Sequence, residues 1–274
     1  MSKTYLSPAK VNIFFKVLNK RADGFHTIFS LYQAVNLFDK ISYEIDTKDS
    51  FFCLDSSLNW DDNLIKKAVF LFREKTKNFT PLKIHLEKNI PIQAGLGGGS
   101  SNAATTLFAL NDIFQNPLSE GELIELAKEI GSDTAFFFSK GTALCSNRGE
   151  VFENQDFLDL NFYIVKPNFG MNTKSVYENL NLENLLNINL KEVIENLNEK
   201  KITLFNDLES SAFLLNPKLK EIKQNLLKTF KKVSLTGSGS SFICFEKQSK
   251  DVLNDFFSFK VFTVQRKEKN WYSF

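Results

Sequence analysis

Pro91-Ile92-Gln93-Ala94-Gly95-Leu96-Gly97-Gly98-Gly99-Ser100-Ser101-Asn102-Ala103-Ala104 puts four glycines into five consecutive positions, then two serines and an asparagine, at the entrance to a helix-forming segment. Glycine tolerates positive φ and lets a ligand reach the backbone, so successive N–H groups can converge on one anion. Ser100 and Ser101 are expected to cap the following helix, whose free N–H groups and dipole favour negative charge. Ala103, Leu107, Leu110 and Phe114 recur along one face of that helix, and Asn116-Pro117 ends it. The stretch reads as a phosphate cradle.

It is not a Walker A loop, because Gly99 is followed by Ser-Ser and the loop contains no lysine. The Rossmann fingerprint fails as well. With Gly95 and Gly97 as its first glycines, Ser100 stands where the third glycine or alanine belongs, far from a first strand. A flexible linker fits poorly, since an alternating strand (Leu82, Ile84, Leu86) precedes the loop and an amphipathic helix follows it.

Towards the N-terminus, residues 10–18 alternate, with Val11, Ile13, Phe15 and Val17 on one face and Lys10 and Asn12 on the other. This predicts a half-buried strand. Arg21 to Thr27 follows as a hairpin turn around Asp23-Gly24, and an apolar run from Ile28 to Leu37 returns. Read alone, Lys10 is a surface lysine at a strand edge and His26 a surface or packed histidine. Ile41 to Ile45 and Phe51 to Leu54 read as strands, and Asn63 to Lys75 as a helix.

Beyond the loop, Leu123, Leu126, Ala127 and Ile130 mark a helix stopped by Gly131 in the usual C-terminal position. Asp133 follows, ahead of a very apolar segment. The residues alone allow either a turn-capping or a site role for it. A strand is expected at Leu160 to Val165, a short helix near Thr173, and a helical region from Leu190 to Leu215. Next come a helix through Leu219, Ile222, Leu226 and Phe230, and a strand pair around Gly237-Ser238-Gly239-Ser240. A helix with Val252, Leu253, Phe256 and Phe257 and a strand from Val261 to Arg266 close the chain. Without the extra helices this half is β-α-β-β-α-β, the ferredoxin-like order. A domain boundary near residue 155 divides the chain into 1–155 and 156–274.

The chain has 274 residues, 43% of them hydrophobic, enough for a substantial core. Its formal charge of +2, from 34 basic and 32 acidic residues, gives no general pull towards nucleic acid or membrane. Cys53, Cys145 and Cys244 form no close pair, which argues against disulfides and against a metal site. No apolar run approaches membrane-spanning length, and the expected location is the cytoplasm.

Three motifs together resemble the GHMP kinase superfamily: Ser7-Pro8-Ala9-Lys10-Val11-Asn12, Pro91 to Ala104, and Leu235-Thr236-Gly237-Ser238-Gly239-Ser240. Arg21-Ala22-Asp23-Gly24-Phe25-His26 and the full GLGGGSSNAA are most similar to the branch acting on cytidine diphosphate-linked methylerythritol. The resemblance covers nearly the whole chain. It implies an α+β fold in two domains, an N-terminal one like ribosomal protein S5 domain 2 and a ferredoxin-like C-terminal one. It implies transfer of the ATP γ-phosphoryl group to the C2 hydroxyl of 4-diphosphocytidyl-2-C-methyl-D-erythritol. On that reading Pro91 to Ser101 holds ATP, Asp133 is the general base and Lys10 its cationic partner. Asn12, Phe25, His26 and Tyr177 hold the substrate, with the aromatic rings around the cytosine. ATP is expected as its Mg2+ complex, with no protein metal ligand to name. The expected state is a monomer or weak homodimer with no nucleic-acid or membrane partner.

The branch it most resembles commonly has Gly-Ala-Asp-Val-Pro around the base, whereas this chain reads Gly131-Ser132-Asp133-Thr134-Ala135. Losing the proline bears on how rigidly the next loop is held. Ala94 replaces the usual third glycine of the ATP loop. Rival readings are another GHMP small-molecule kinase such as homoserine kinase, a non-catalytic nucleotide-binding regulator, and a single-stranded RNA binder. Retention of Lys10 and Asp133 counts against the second, and the near-neutral charge against the third.

Overall fold

The computed structural model describes residues 2–55, 58, 60–61, 63–249, 256–267 and 270–273. The elements run β1 (Lys3–Lys20), β2 (His26–Ile45), β3 (Ser50–Cys53), α1 (Leu64–Thr76), β4 (Leu82–Glu87), α2 (Gly98–Ile113), α3 (Glu120–Ile130), β5 (Thr142–Asn147) and β6 (Val151–Asn154). The second half continues with β7 (Asn161–Lys166), α4 (Thr173–Glu178), α5 (Leu190–Asn198), β8 (Phe205–Asn206), α6 (Glu209–Leu215), α7 (Lys218–Leu226), β9 (Phe230–Leu235), β10 (Phe242–Lys247) and β11 (Phe257–Phe262). Among the described residues the strands form two sheets. One has the order β3-β4-β2-β1-β8, with β5 and β6 added along the free part of β2; the other has the order β11-β7-β10-β9. The second sheet is antiparallel throughout, in the strand order of the expected ferredoxin-like arrangement.

Helices α1, α2 and α3 cover one face of the first sheet, with Ile65, Phe72, Leu107, Leu110 and Leu123 in the core between them. The other face packs on the second sheet through Val11, Ile13, Leu31 and Val35 against Phe162, Ile164, Ile243 and Phe245. On the far side of that sheet Phe242 and Cys244 join Ala212, Leu219 and Leu226 of α6 and α7. The first sheet is therefore a middle layer. That corrects the expectation of a half-buried first strand: Lys10 and Asn12 are 3% and 1% exposed. Apolar burial contributes about 25 cal/mol per Å2, so such a layer tolerates polar residues only where each is paired.

Register slips between Asn12 and Phe14 and between Val17 and Asn19 alter the alternation of β1. After the first slip Phe14 joins the sheet-to-sheet core, while Phe15 and Val17 turn towards the helices.

Four other expectations are corrected. Helix α2 starts at Gly98 on Gly97, whose φ is +67°, so Ser100 and Ser101 lie in its first turn and cap nothing. Gly131 ends α3 with extended backbone, φ −176°, rather than a left-handed cap. The Leu190 to Leu215 region breaks into α5, β8 and α6. There Asn206 Nδ2 donates to the carbonyls of Leu235 and Gly237 at 2.8 Å, and Asp207 accepts from Val17 N at 2.8 Å, bonds that compete with a helix. Phe230 opens β9, and Phe257 belongs to β11; Val252 and Leu253 lie outside the described residues. The β5–β6 hairpin was not foreseen.

Candidate active site

Lys10 projects from β1, and its stem is the surface on which the glycine loop rests. Its N–H donates to the Leu96 carbonyl at 2.9 Å. A Cβ on Gly97 would lie 2.8 Å from Lys10 Cγ, so only glycine lets the loop approach this closely. Gly95 meets the same limit from the other side, where a Cβ would sit 2.1 Å from the Thr236 carbonyl oxygen. The glycine loop and the Gly237 to Ser240 turn thus pack backbone to backbone, and the Ser241 N–H donates to the Ala94 carbonyl at 3.1 Å.

Asp133 stands just past α3. Its Oδ2 is 3.2 Å from Lys10 Nζ, and its Oδ1 accepts from the Tyr32 hydroxyl at 2.9 Å. Lys10 Nζ also donates to Asn12 Oδ1 at 2.9 Å and lies 4.5 Å from the centre of the Tyr32 ring. Burial, then the Asp133 charge, pushes the Tyr32 phenol well above its usual range, so Tyr32 is a permanent donor. Lys10 is buried, whereas the Asp133 side chain keeps 29% exposure towards the cavity. The segment after it is a 3-10 turn, Ala135–Phe138, whose three phenylalanines are all buried; this anchors the loop without the proline. The Thr134 hydroxyl has no partner there.

A cavity of about 980 Å3 opens over this pair. Its lining includes the glycines and the first turn of α2, whose leading N–H groups have no intrahelical acceptor. Phe25, His26 and Tyr177 line it as well. His26 and Tyr177 are stacked, ring centres 5.2 Å apart, while Phe25 is 52% exposed with the Arg148 guanidinium 5.1 Å from its ring centre. Helix α4, which carries Tyr177, is tied to the closing turn by the Thr173 and Ser238 hydroxyls at 2.8 Å. Burial, followed by the Lys20 charge, holds the His26 imidazole below the ordinary histidine range. Burial, then Asp133, raises the Tyr177 phenol.

Lys10, Asp133, Phe25, His26, Tyr177 and the loop from Pro91 to Ser100 all line this one space. Asn12 and Ser101 lie behind it. The Asn12 amide is committed at both ends, accepting from Lys10 and donating to Ser30 Oγ at 2.9 Å, and Ser101 Oγ accepts from Ser7 Oγ at 2.8 Å.

Sequence reasoning missed Tyr32, Arg148 and a buried carboxylate, Asp39. Asp39 accepts from Lys88 Nζ at 2.6 Å, from the N–H groups of Asn89 and Ile90 at 2.7 and 2.8 Å, and from Asn102 Nδ2 at 2.9 Å. It ties β2 to the segment entering the glycine loop and to the first turns of α2. A carboxylate inside a strand signals such a network only when its layer is known to be buried.

The N-terminal domain of GHMP kinases matches residues 63–141. A 4-diphosphocytidyl-2-C-methyl-D-erythritol kinase of Protochlamydia amoebophila is 44% identical over 97% of this chain and 92% of its own length. The chloroplastic kinase of that name from Arabidopsis thaliana is 38% identical over 86% of this chain and 66% of its own length. Among solved structures, a 4-(cytidine 5'-diphospho)-2C-methyl-D-erythritol kinase superposes with a TM-score of 0.78 at 27% identity, covering 96% of this chain and 99% of that one. A homoserine kinase from Cytophaga hutchinsonii shares the fold, with a TM-score of 0.68 at 18% identity over 96% of this chain and 95% of its own. With the lysine, the carboxylate and the glycine loop gathered at one cavity, these likenesses place the chain in the 4-diphosphocytidyl-2-C-methyl-D-erythritol kinase family, a branch of the GHMP kinases.

Proposed function

We propose that the protein moves the γ-phosphoryl group of ATP to the C2 hydroxyl of 4-diphosphocytidyl-2-C-methyl-D-erythritol, in the non-mevalonate route to isoprenoid precursors. The observation that carries this reading is the Lys10–Asp133 pair, which shares one cavity with a helix N-terminus and an aromatic cluster. Asp133 takes the hydroxyl proton as the C2 oxygen bonds to the γ-phosphorus and the β–γ bridging bond breaks, releasing ADP. Lys10 keeps the carboxylate ionised and offsets charge on the transferring oxygens. Asn12 fixes the direction of Lys10 through its side-chain oxygen. Loop residues Pro91 to Ser100 hold the ATP phosphates with backbone donors, and Ser101 anchors the helix beneath them.

Phe25, His26 and Tyr177 take the cytosine, which requires Tyr177 to leave its stack on His26. Magnesium enters with ATP, carried by phosphates and water; the described residues form no cluster of three His, Cys, Asp or Glu side chains. Among those residues no helix is long and apolar enough to cross a membrane, and we place the enzyme in the cytoplasm as a monomer or weak homodimer. The domain boundary is proposed near residue 155, between β6 and β7, with both parts lining the cavity.

The test is ATP-dependent phosphorylation of the cytidine diphosphate substrate by the purified protein, run beside homoserine. Turnover of the first supports the assignment, and turnover of homoserine alone overturns it. Tyr32→Phe removes one hydrogen bond to a charged group, so kcat is expected to fall about 10-fold with KM for ATP unchanged, by steady-state kinetics.

His26 supplies a pH prediction. Its lowered value means the unfolded chain binds the proton more readily, so this contribution to stability is complete above about pH 6.5 and declines as pH falls below it. Between about pH 7.5 and 5.5 the thermal midpoint of the wild type is expected to fall further than that of His26→Gln.

A further inference from the structure

One residue of the cavity wall is used by none of the roles above: Arg148, in the turn of the β5–β6 hairpin, Asn147-Arg148-Gly149-Glu150. Asn147 and Gly149 have φ of +58° and +117°, which turns the chain sharply enough to lay Gly149 against the base. A Cβ on Gly149 would be 3.0 Å from the Tyr32 hydroxyl and 3.4 Å from Asp133 Oδ1. The neighbouring residue reaches the opposite way, towards Phe25. Arg148 therefore stands between the end of the cavity that takes an aromatic base and the carboxylate that takes the hydroxyl proton.

Its guanidinium has one long hydrogen bond besides its contact with the Phe25 ring. The Glu150 carboxylate accepts the Arg148 N–H at 2.8 Å, which fixes the turn, but reaches Nε only at 3.4 Å. The nearby Asp23 carboxylate is already bridged to Arg21 at 3.0 Å. Among the described residues neither terminal nitrogen of Arg148 makes a hydrogen bond, so the planar fork has donors to spare beside the cavity. A molecule that places a base on Phe25 and a hydroxyl at Asp133 must pass its linking group by this fork. In a cytidine diphosphate ester that linker is the diphosphate, a dianion suited to bidentate guanidinium donors.

We propose that Arg148 binds the diphosphate of the substrate, a specificity-determining contact that selects nucleoside diphosphate esters over uncharged cytidine compounds. The proposal rests on the substrate reading above. Calorimetric titration with cytidine diphosphate and with cytidine separates the two. With Arg148→Met, affinity for cytidine diphosphate is expected to fall about 10- to 100-fold, while cytidine affinity stays within about 2-fold and ATP affinity and thermal midpoint are unchanged. Arg148→Lys, which keeps the charge and loses the fork, should recover part of the loss. An equal loss for cytidine would show that Arg148 only supports Phe25, and unchanged binding of cytidine diphosphate would show that it does not meet the diphosphate; either overturns the assignment. If the wild type binds neither compound, the substrate reading fails and the assignment falls with it.

Discussion

Asp133→Asn is expected to leave a folded protein that binds ATP and both ends of its substrate, with kcat reduced at least about 100-fold. The amide keeps the shape of the carboxylate, so the 3-10 turn behind it and its buried phenylalanines need not move. What it loses is the capacity to take a proton and the charge that pairs with Lys10 at 3.2 Å. A general base contributes roughly 10²- to 10⁴-fold, and here the same group also orients the lysine that offsets charge on the transferring phosphoryl oxygens. Single-turnover kinetics with saturating ATP and substrate isolate the chemical step. A variant that retains more than about a tenth of the wild-type rate would remove Asp133 from the role of base.

Asp39→Ala should cost about 3–5 kcal/mol of stability and lower the thermal midpoint by roughly 10 °C. The Asp39 side chain is fully buried, and the Lys88 side chain facing it at 2.6 Å is only 10% exposed. Removing the carboxylate strands an ammonium group and the N–H groups of Asn89 and Ile90, each of which then carries its desolvation cost, and takes one of its two acceptors from the Asn102 amide, which keeps its bond to Ser7 Oγ. Because these groups lie just before Pro91 and within the first turns of α2, the loss of stability comes with weaker ATP binding. Urea unfolding and nucleotide titration read the two effects separately. A change below about 1 kcal/mol would mean that water replaces the carboxylate.

Much of the architecture was legible because it is written in short-range patterns. The helical readings at Asn63 to Lys75 and through Leu123, Leu126, Ala127 and Ile130 correspond to α1 and α3. The sheet order of the second half matches the ferredoxin-like reading, but its last strand is Phe257–Phe262 rather than Val261 to Arg266. Where local readings failed, a long-range contact had intervened. Ser100 and Ser101 are reasonable caps until Gly97 takes a positive φ and starts the helix earlier. The Leu190 to Leu215 region has helical composition until Asn206 and Asp207 give their side chains to other segments.

The site divides along the same line. The glycine loop could be named from its residues alone, and Lys10, Asp133, Phe25 and His26 through the family motifs in which they sit. Tyr32 could not. A hairpin running without slips from the pairing of Lys20 with His26 would set Asn12 opposite Ala34, whereas the slips in β1 set it opposite Tyr32. The sequence by itself determined the glycine-rich turn and the helix that follows it, since glycine freedom and helix periodicity are local properties, while the roles proposed for Lys10 and Asp133 rest on resemblance to the kinase family. Only the tertiary structure decided that β1 is buried on both faces, that Lys10 is paired rather than solvated, that Tyr32 and Arg148 line the site and that Asp39 braces the segment leading into it. Register slips, layer packing and close backbone approach depend on residues far apart in the chain, and no local pattern encodes them.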